Sequence, residues 1–245
     1  MKVRVVAKPA DELGPILSRV MDILSKHDLQ LDDKEFDVVI AVGGDGTLLR
    51  AVGLGKPVIG VRAGKRGLLM DVPPDKFEEV VVRLKRGEFR REEYGTLWFN
   101  YMGLRYAAFN DVALLADGAG TATFRVQCST QFSFDGDGLV IATPQGSTGW
   151  SLSASGPYVD RKVNATVVTL INPVLTPLRS LVVSTEKVKV RVVASGEEPN
   201  VNLLADGNRI GRLKDEVEVH TNGPKVTIYR FFDFDPVERI LRKDP

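Results

Sequence analysis

At 38–50 the chain reads Val-Val-Ile-Ala-Val-Gly-Gly-Asp-Gly-Thr-Leu-Leu-Arg, an apolar run that enters three closely spaced glycines and then a helical pattern. Such glycines cost conformational entropy; what they permit is positive φ and close approach of a ligand to the backbone. A helix N-terminus after the turn offers free N–H groups and partial positive charge, which suit phosphate. Asp45 is the unusual member. A carboxylate in an anion-binding turn repels phosphate unless a metal ion intervenes or the carboxylate takes a proton from a hydroxyl. The plainer alternative is that Asp45 caps the following helix, and residue types alone leave both readings open. Two common nucleotide motifs are excluded. Counting from Gly44, Leu49 stands where G-x-G-x-x-G needs its third glycine. At 60–66 the spacing to Gly64-Lys65 is one residue short of a Walker A loop, and Arg66 replaces its Ser or Thr.

A second segment, 137–157, reads Asp-Gly-Leu-Val-Ile-Ala-Thr-Pro-Gln-Gly-Ser-Thr-Gly-Trp-Ser-Leu-Ser-Ala-Ser-Gly-Pro. Small hydroxyls and glycines around one aromatic ring make a poor core but a good polar surface for a base or ribose. Such clusters are more often solvent-facing loops; here the loop follows an apolar strand and carries Trp150, which favours a site.

The elements that must position these segments fall into two kinds. Up to about residue 95, strand-like runs (Val3 to Ala7, Phe36 to Val42, Pro57 to Val61) alternate with helical patterns (Asp11 to His27, Leu48 to Gly53, Pro74 to Arg86). That alternation predicts an α/β lobe at 1–95, a Rossmann-like, doubly wound parallel sheet covered by helices. Beyond it come short β-rich runs: Leu97 to Met102, Ala122 to Cys128, Leu139 to Thr143, Ala165 to Ile171, Val188 to Ala194, Val201 to Ala205, Glu216 to His220 and Lys225 to Tyr229. They predict an all-β lobe of sandwich or layered type at 96–230, with turns at Ser195-Gly196 and Asn222-Gly223-Pro224. The tail, 231–245, is expected to fold back onto the first lobe.

Composition narrows the function. A formal charge of +1 on 245 residues gives no basic field for nucleic acid, and no stretch approaches the apolar length of a membrane span. The single Cys128 excludes an intramolecular disulfide and a multi-cysteine zinc site, and with no signal peptide a cytoplasmic location is expected. His27 and His220 neighbour neither motif and receive no metal or catalytic role.

Together the two segments resemble the NAD kinases. Gly43 to Thr47 matches that family's G-G-D-G-T, and Thr143 to Pro157 resembles its T-P-x-G-S-T-A-Y-S-L-S-A-G-G-P, with Gly149-Trp150 for Ala-Tyr and Ser155 for Gly. The resemblance extends to Gly60 to Leu69, to Asn110-Asp111 and to Asp206-Gly207-Asn208. Asp111 stands for the usual Glu, Arg62 for Asn, Arg66 and Leu68 for Leu and Phe, and Asn208 for Gln. The first motif alone is less specific, because phosphofructokinases and lipid kinases have similar turns.

The resemblance implies transfer of a phosphoryl group from ATP or polyphosphate to the adenosine ribose 2′-hydroxyl of NAD, giving NADP. Asp45 would be the base, with Gly44, Gly46 and Thr47 at the ligand and Arg50 steadying phosphate. Asn110 and Asp111 resemble NAD ribose contacts. Asp137, Ser147, Thr148, Gly149, Trp150, Ser151 and Ser153 resemble an adenine and ribose shelf, and Asp206 and Asn208 a further ligand contact. Magnesium, or another divalent cation, is expected with the donor phosphates, since no metal-ligand cluster is visible in the sequence. A homodimer or homotetramer is expected. The competing readings are a kinase of a sugar phosphate or lipid and a non-catalytic nucleotide sensor.

Overall fold

The computed structural model describes residues 1–8, 13–63, 67–118, 121–193, 200–213 and 215–241. The chain divides into two units, Met1–Glu93 with Val226–Pro245, and Tyr94–Lys225.

In the first unit, β1 (Lys2–Ala7), α1 (Gly14–Lys26), β2 (Gln30–Leu31), β3 (Val38–Gly43), α2 (Asp45–Val52), β4 (Val58–Arg62), α3 (Phe77–Arg86) and β5 (Arg90–Tyr94) follow in order. Every residue of β3 is buried, as its unbroken β-branched and small apolar run requires of a strand covered on both faces. Helix α3 buries Phe77, Val80, Val81 and Leu84, one stripe at helical spacing. Glu78 and Glu79 in its first turn, and Arg83, Lys85 and Arg86 in its last, complement the helix dipole. Helix α2 starts at Asp45, three residues before its apolar pattern, because glycine and aspartate can occupy a first turn without contributing to the buried face.

The second unit contains β6 (Leu97–Tyr101), β7 (Leu104–Ala108), β8 (Asp111–Ala116), β9 (Ala122–Gln127), β10 (Gln131–Gly136), β11 (Gly138–Ala142), the short α4 (Trp150–Ser153), β12 (Thr166–Ile171), β13 (Ser180–Val183), β14 (Lys187–Val193), β15 (Val201–Ala205), β16 (Asn208–Leu213) and β17 (Glu216–His220). They form two six-stranded sheets, in the orders β10-β9-β14-β17-β6-β7 and β13-β12-β11-β8-β15-β16. Alternate residues of both enter one core, Phe99, Phe124 and Val190 from the first sheet meeting Leu114, Ile141 and Leu203 from the second. This is the layered all-β arrangement expected.

The chain then re-enters the first unit as β18 (Val226–Arg230) and α5 (Pro236–Leu241). The first sheet is ordered β2-β1-β3-β4-β18-β5, and β1 to β4 and β18 pair in parallel. One assignment is corrected here: the run Lys225 to Tyr229, read with the β-rich half, supplies β18, with Ile228 opposite Val58 of β4. The units meet along the chain at Glu93/Tyr94 and Lys225/Val226, in place of the expected breaks after 95 and 230. The turn at Ser195-Gly196 lies outside the described residues.

Candidate active site

In the first unit the site is built where β3 passes into α2. Gly43 has φ +153°, and a Cβ there would run into the Thr47 side chain, so glycine is required by the fold itself. Gly44 is the N-cap, its carbonyl accepting from Thr47 N at 2.9 Å and Leu48 N at 3.1 Å. Asp45 does not cap this helix. Its half-buried carboxylate reaches across to another segment, Oδ2 accepting from Leu68 N at 2.9 Å and Oδ1 from Leu69 N at 3.1 Å. Two main-chain donors fix its direction. Gly46 is exposed, and an added Cβ would meet nothing within 4 Å. The fold alone does not demand a glycine beside Asp45.

Two neighbours make contacts within the scaffold. Thr47 is 3% exposed and packs its side chain against Gly43. Arg50 is exposed but donates from Nη2 to the Ala7 carbonyl at 3.0 Å, tying α2 to the end of β1.

Downstream of the Leu68–Leu69 donors lies a buried ion pair that sequence reading missed. Arg230 donates to Asp71 at 2.9 Å and to Glu92 at 2.7 Å, while the other Asp71 oxygen accepts from Phe231 N at 2.9 Å and Phe232 N at 3.2 Å. Asp71 and Arg230 are 3% and 2% exposed, so each charge depends on the other.

In the second unit the two segments singled out by sequence are brought together by sheet register. Strands β8 and β11 are antiparallel with Asp111 opposite Ala142, which sets the start of β8 against the loop that leaves β11. The Thr143 hydroxyl lies 2.9 Å from the Phe109 carbonyl and 3.1 Å from that of Asn110, and Gln145 Nε2 donates to Phe109 O and Gly95 O, each at 2.8 Å. Gly146 packs so closely on the Asn110 carbonyl that a Cβ has no room. From the other side the Asp206 carboxylate accepts from the N–H groups of Phe109 (2.8 Å), Asn110 (2.7 Å) and Asp111 (3.2 Å).

The main chain of this turn is therefore satisfied, and its side chains are left for other work. Asn110 Oδ1 is buried without a hydrogen-bond partner. Asp111 is 4% exposed, and burial, reinforced by the charge of Asp206, pushes its carboxyl up to about 7. An added Cβ at Gly149 would stand 3.7 Å from Asn110 Nδ2 and 3.8 Å from Asp111 Oδ2, so the glycine keeps open the space beside these two polar groups.

Several expected ligand residues have partners within the fold. Ser147 is fully buried, its hydroxyl donating to the Pro144 carbonyl at 2.6 Å and accepting from Val159 N at 3.0 Å. Ser151 is likewise buried and pairs with the Thr169 hydroxyl at 2.7 Å. The Thr148 hydroxyl donates to the Gln145 carbonyl at 3.0 Å. Trp150 is half-buried on Ala113, Val140, Val159 and Val167, leaving Ser153 exposed at the end of α4. Asp206 is the clamp described above, and the exposed Asn208 donates to its carbonyl at 3.3 Å. Asp137 is not brought to the cluster. It precedes β11, whose five residues separate it from Thr143 by about 20 Å of extended strand, and it accepts from Asn172 Nδ2 at 2.7 Å.

Among the described residues no group of three or more His, Cys, Asp or Glu could hold a metal ion, and no helix is long and apolar enough to cross a membrane.

The architecture and these segments match known proteins. Residues 8–89 match the family model of the ATP-NAD kinase N-terminal domain, and residues 110–230 that of the ATP-NAD kinase C-terminal domain. A NAD kinase of Saccharolobus islandicus (strain M.14.25 / Kamchatka #1) is 39% identical over 244 residues, 98% of each chain. That of Methanopyrus kandleri is 34% identical over 224 residues, 86% of this chain and 78% of the relative. Among solved structures, yeast NADH kinase complexed with NADH superposes with a TM-score of 0.85 at 18% identity, over 98% of this chain and 86% of the other. A NAD kinase from Archaeoglobus fulgidus in complex with ATP gives 0.79 at 22% identity, over 98% and 97%. At these identities the structural likeness speaks for the fold.

Proposed function

The chain belongs to the NAD kinase family, enzymes that phosphorylate NAD with ATP, and from that premise we propose that Asp45 is the base that accepts the proton of the adenosine ribose 2′-hydroxyl. The observation that carries this reading is a half-buried carboxylate held by two main-chain N–H groups beside a glycine whose missing side chain the fold does not require. Each Asp45 oxygen spends one lone pair on a backbone donor and keeps another for the substrate. The 2′-oxygen bonds to the γ-phosphorus of ATP, the bond from that phosphorus to the β,γ-bridging oxygen breaks, ADP leaves and the proton passes to Asp45. Because such transition states are loose, the nucleophile needs little activation and the proton moves late.

Asn110 and Asp111 supply the polar ends that bind NAD: the unpartnered Asn110 Oδ1 takes a donor from the ligand, and ionised Asp111 takes ribose hydroxyls. Gly149 admits the ligand between them. The divalent cation comes as part of the donor, magnesium with ATP, because phosphate oxygens can provide most of its ligands. The donor is ATP, with polyphosphate tested beside it.

The enzyme works as a homo-oligomer in the cytoplasm. Support for assembly comes from the second unit, where edge strand β13 exposes Val182 at 51% and the hairpin before it exposes Leu175 completely. A monomer by light scattering at micromolar concentration would remove this part of the proposal.

The reaction is tested by incubating the purified protein with NAD, magnesium and either ATP or polyphosphate, and detecting NADP with an NADP-specific dehydrogenase. NADP is expected with ATP. Nucleotide binding without NADP would favour a sensor instead.

A further inference from the structure

Leu68 and Leu69, whose N–H groups hold Asp45, lie in a stretch from Gly67 to Met70 that is neither helix nor strand. What fixes this stretch comes from the far end of the chain. Arg239 on α5 donates from Nη1 to the carbonyls of Gly67 at 3.0 Å and Met70 at 2.7 Å, with that of Leu68 at 3.4 Å. Arg230 donates to the Leu69 carbonyl at 2.5 Å. Both guanidinium groups sit over the Phe234 ring, 4.8 Å and 4.6 Å from its centroid. Every carbonyl from Gly67 to Met70 thus faces an arginine, while the two intervening amides face Asp45.

The connection is a relay through peptide groups. The Gly67 carbonyl and the Leu68 N–H belong to one peptide unit, and the Leu68 carbonyl and the Leu69 N–H to the next. A cation on each carbonyl draws electron density from the unit and strengthens its N–H as a donor. Arg239 therefore acts on both hydrogen bonds to Asp45 without touching it. Arg230 is committed elsewhere by Asp71 and Glu92, whereas the side-chain hydrogen bonds of Arg239 go to this stretch alone among the described residues.

We propose that Arg239 is a positioning residue for phosphoryl transfer, setting through the peptide units at 67–69 the direction of the Asp45 carboxylate. The proposal rests on Asp45 being the base. Its test compares Arg239→Ala and Arg239→Lys with Leu241→Ala, a control on the exposed side of the same helix, and with Asp45→Asn. Loss of the clamp lets the carboxylate drift, and Arg239→Ala is expected to lower kcat by about tenfold to a hundredfold at little-changed KM for NAD. Amide hydrogen exchange at Leu68 and Leu69 should quicken. Lysine, which keeps a cation near the carbonyls, restores part of each effect, and Leu241→Ala changes none.

Wild-type kcat and exchange in Arg239→Ala, with Asp45→Asn inactive, overturn the proposal and leave the base assignment standing. Near-wild-type kcat in Asp45→Asn overturns both. Should Arg239→Ala not fold, the same readouts on Arg239→Lys decide, unmoved kcat and unmoved exchange counting against the clamp.

Discussion

The Asp206 carboxylate accepts the main-chain N–H of Asp111 at 3.2 Å, while the Asp111 side chain, buried and within reach of that charge, has its own carboxyl pushed up to about 7. One aspartate thus fixes the position of the other and opposes its ionisation. Asp111 is mostly protonated in the free enzyme at mildly acidic pH, whereas ribose hydroxyls seek the ionised form. NAD affinity should rise with pH up to about 7 and then level, falling about tenfold per unit on the acid side. Calorimetric titration from pH 5.5 to 8.5 checks this, and Asp111→Asn should flatten the curve.

The same shift bears on stability. An acid whose folded pKa is raised from 3.8 to about 7 contributes stability that is full below about 4 and lost as pH rises through 7. The thermal midpoint of the ligand-free protein should fall between pH 5 and 8, and Asp111→Asn should remove much of that slope.

Asp45→Asn keeps the shape and loses the base. A positioned general base contributes about 10² to 10⁴ in rate, and the loose transition state points to the lower part of that range. The amide can accept from only one of Leu68 N and Leu69 N, so the thermal midpoint should also drop by the equivalent of about 1 kcal/mol. Activity close to wild type, with KM for NAD unchanged, would end the catalytic assignment.

Two glycines separate ligand from fold. Gly146→Ala forces a methyl onto the Asn110 carbonyl and should destabilise the protein by about 1 to 3 kcal/mol, with weaker NAD binding. Gly46→Ala meets nothing within 4 Å and should leave the thermal midpoint unmoved while raising KM for a substrate. Denaturation and steady-state kinetics on the two variants distinguish these outcomes.

Asp206→Ala strands three main-chain donors at the Phe109–Asp111 turn, each costing about 1 to 3 kcal/mol where water cannot replace the carboxylate. Chemical denaturation should show a loss of several kcal/mol. Asp206→Asn should recover part of it, because an amide oxygen still accepts.

Much of this architecture is legible in the sequence because burial imposes period. The unbroken apolar run of β3 and the stripe of α3 declare themselves. Val226 to Arg230 shows why placement does not follow: alternation marks a strand but carries no information about which sheet it joins. Within the site, residue type points to loops and leaves the direction of individual side chains open. A serine hydroxyl suits a ribose or its own backbone equally well, and Ser147 and Ser151 turn inward. Asp137 opens the segment whose resemblance implies a shelf, and the extended strand β11 stands between it and Thr143. Arg239 carried no motif, and its role depends on α5 returning to the segment at 67–70.

That return gives the protein an order of assembly. The chain leaves its α/β unit at Glu93 and rejoins it at Val226, so a ribosome must finish the whole β unit before the first sheet receives β18. Glu92 waits 138 positions for Arg230, and Gly67 waits 172 for Arg239. A nascent chain carries Asp45 early but lacks the arginines that fasten the 67–70 segment until the β unit, β18 and α5 have emerged. Closure of the first sheet is therefore a late, long-range event, of the kind that slows folding.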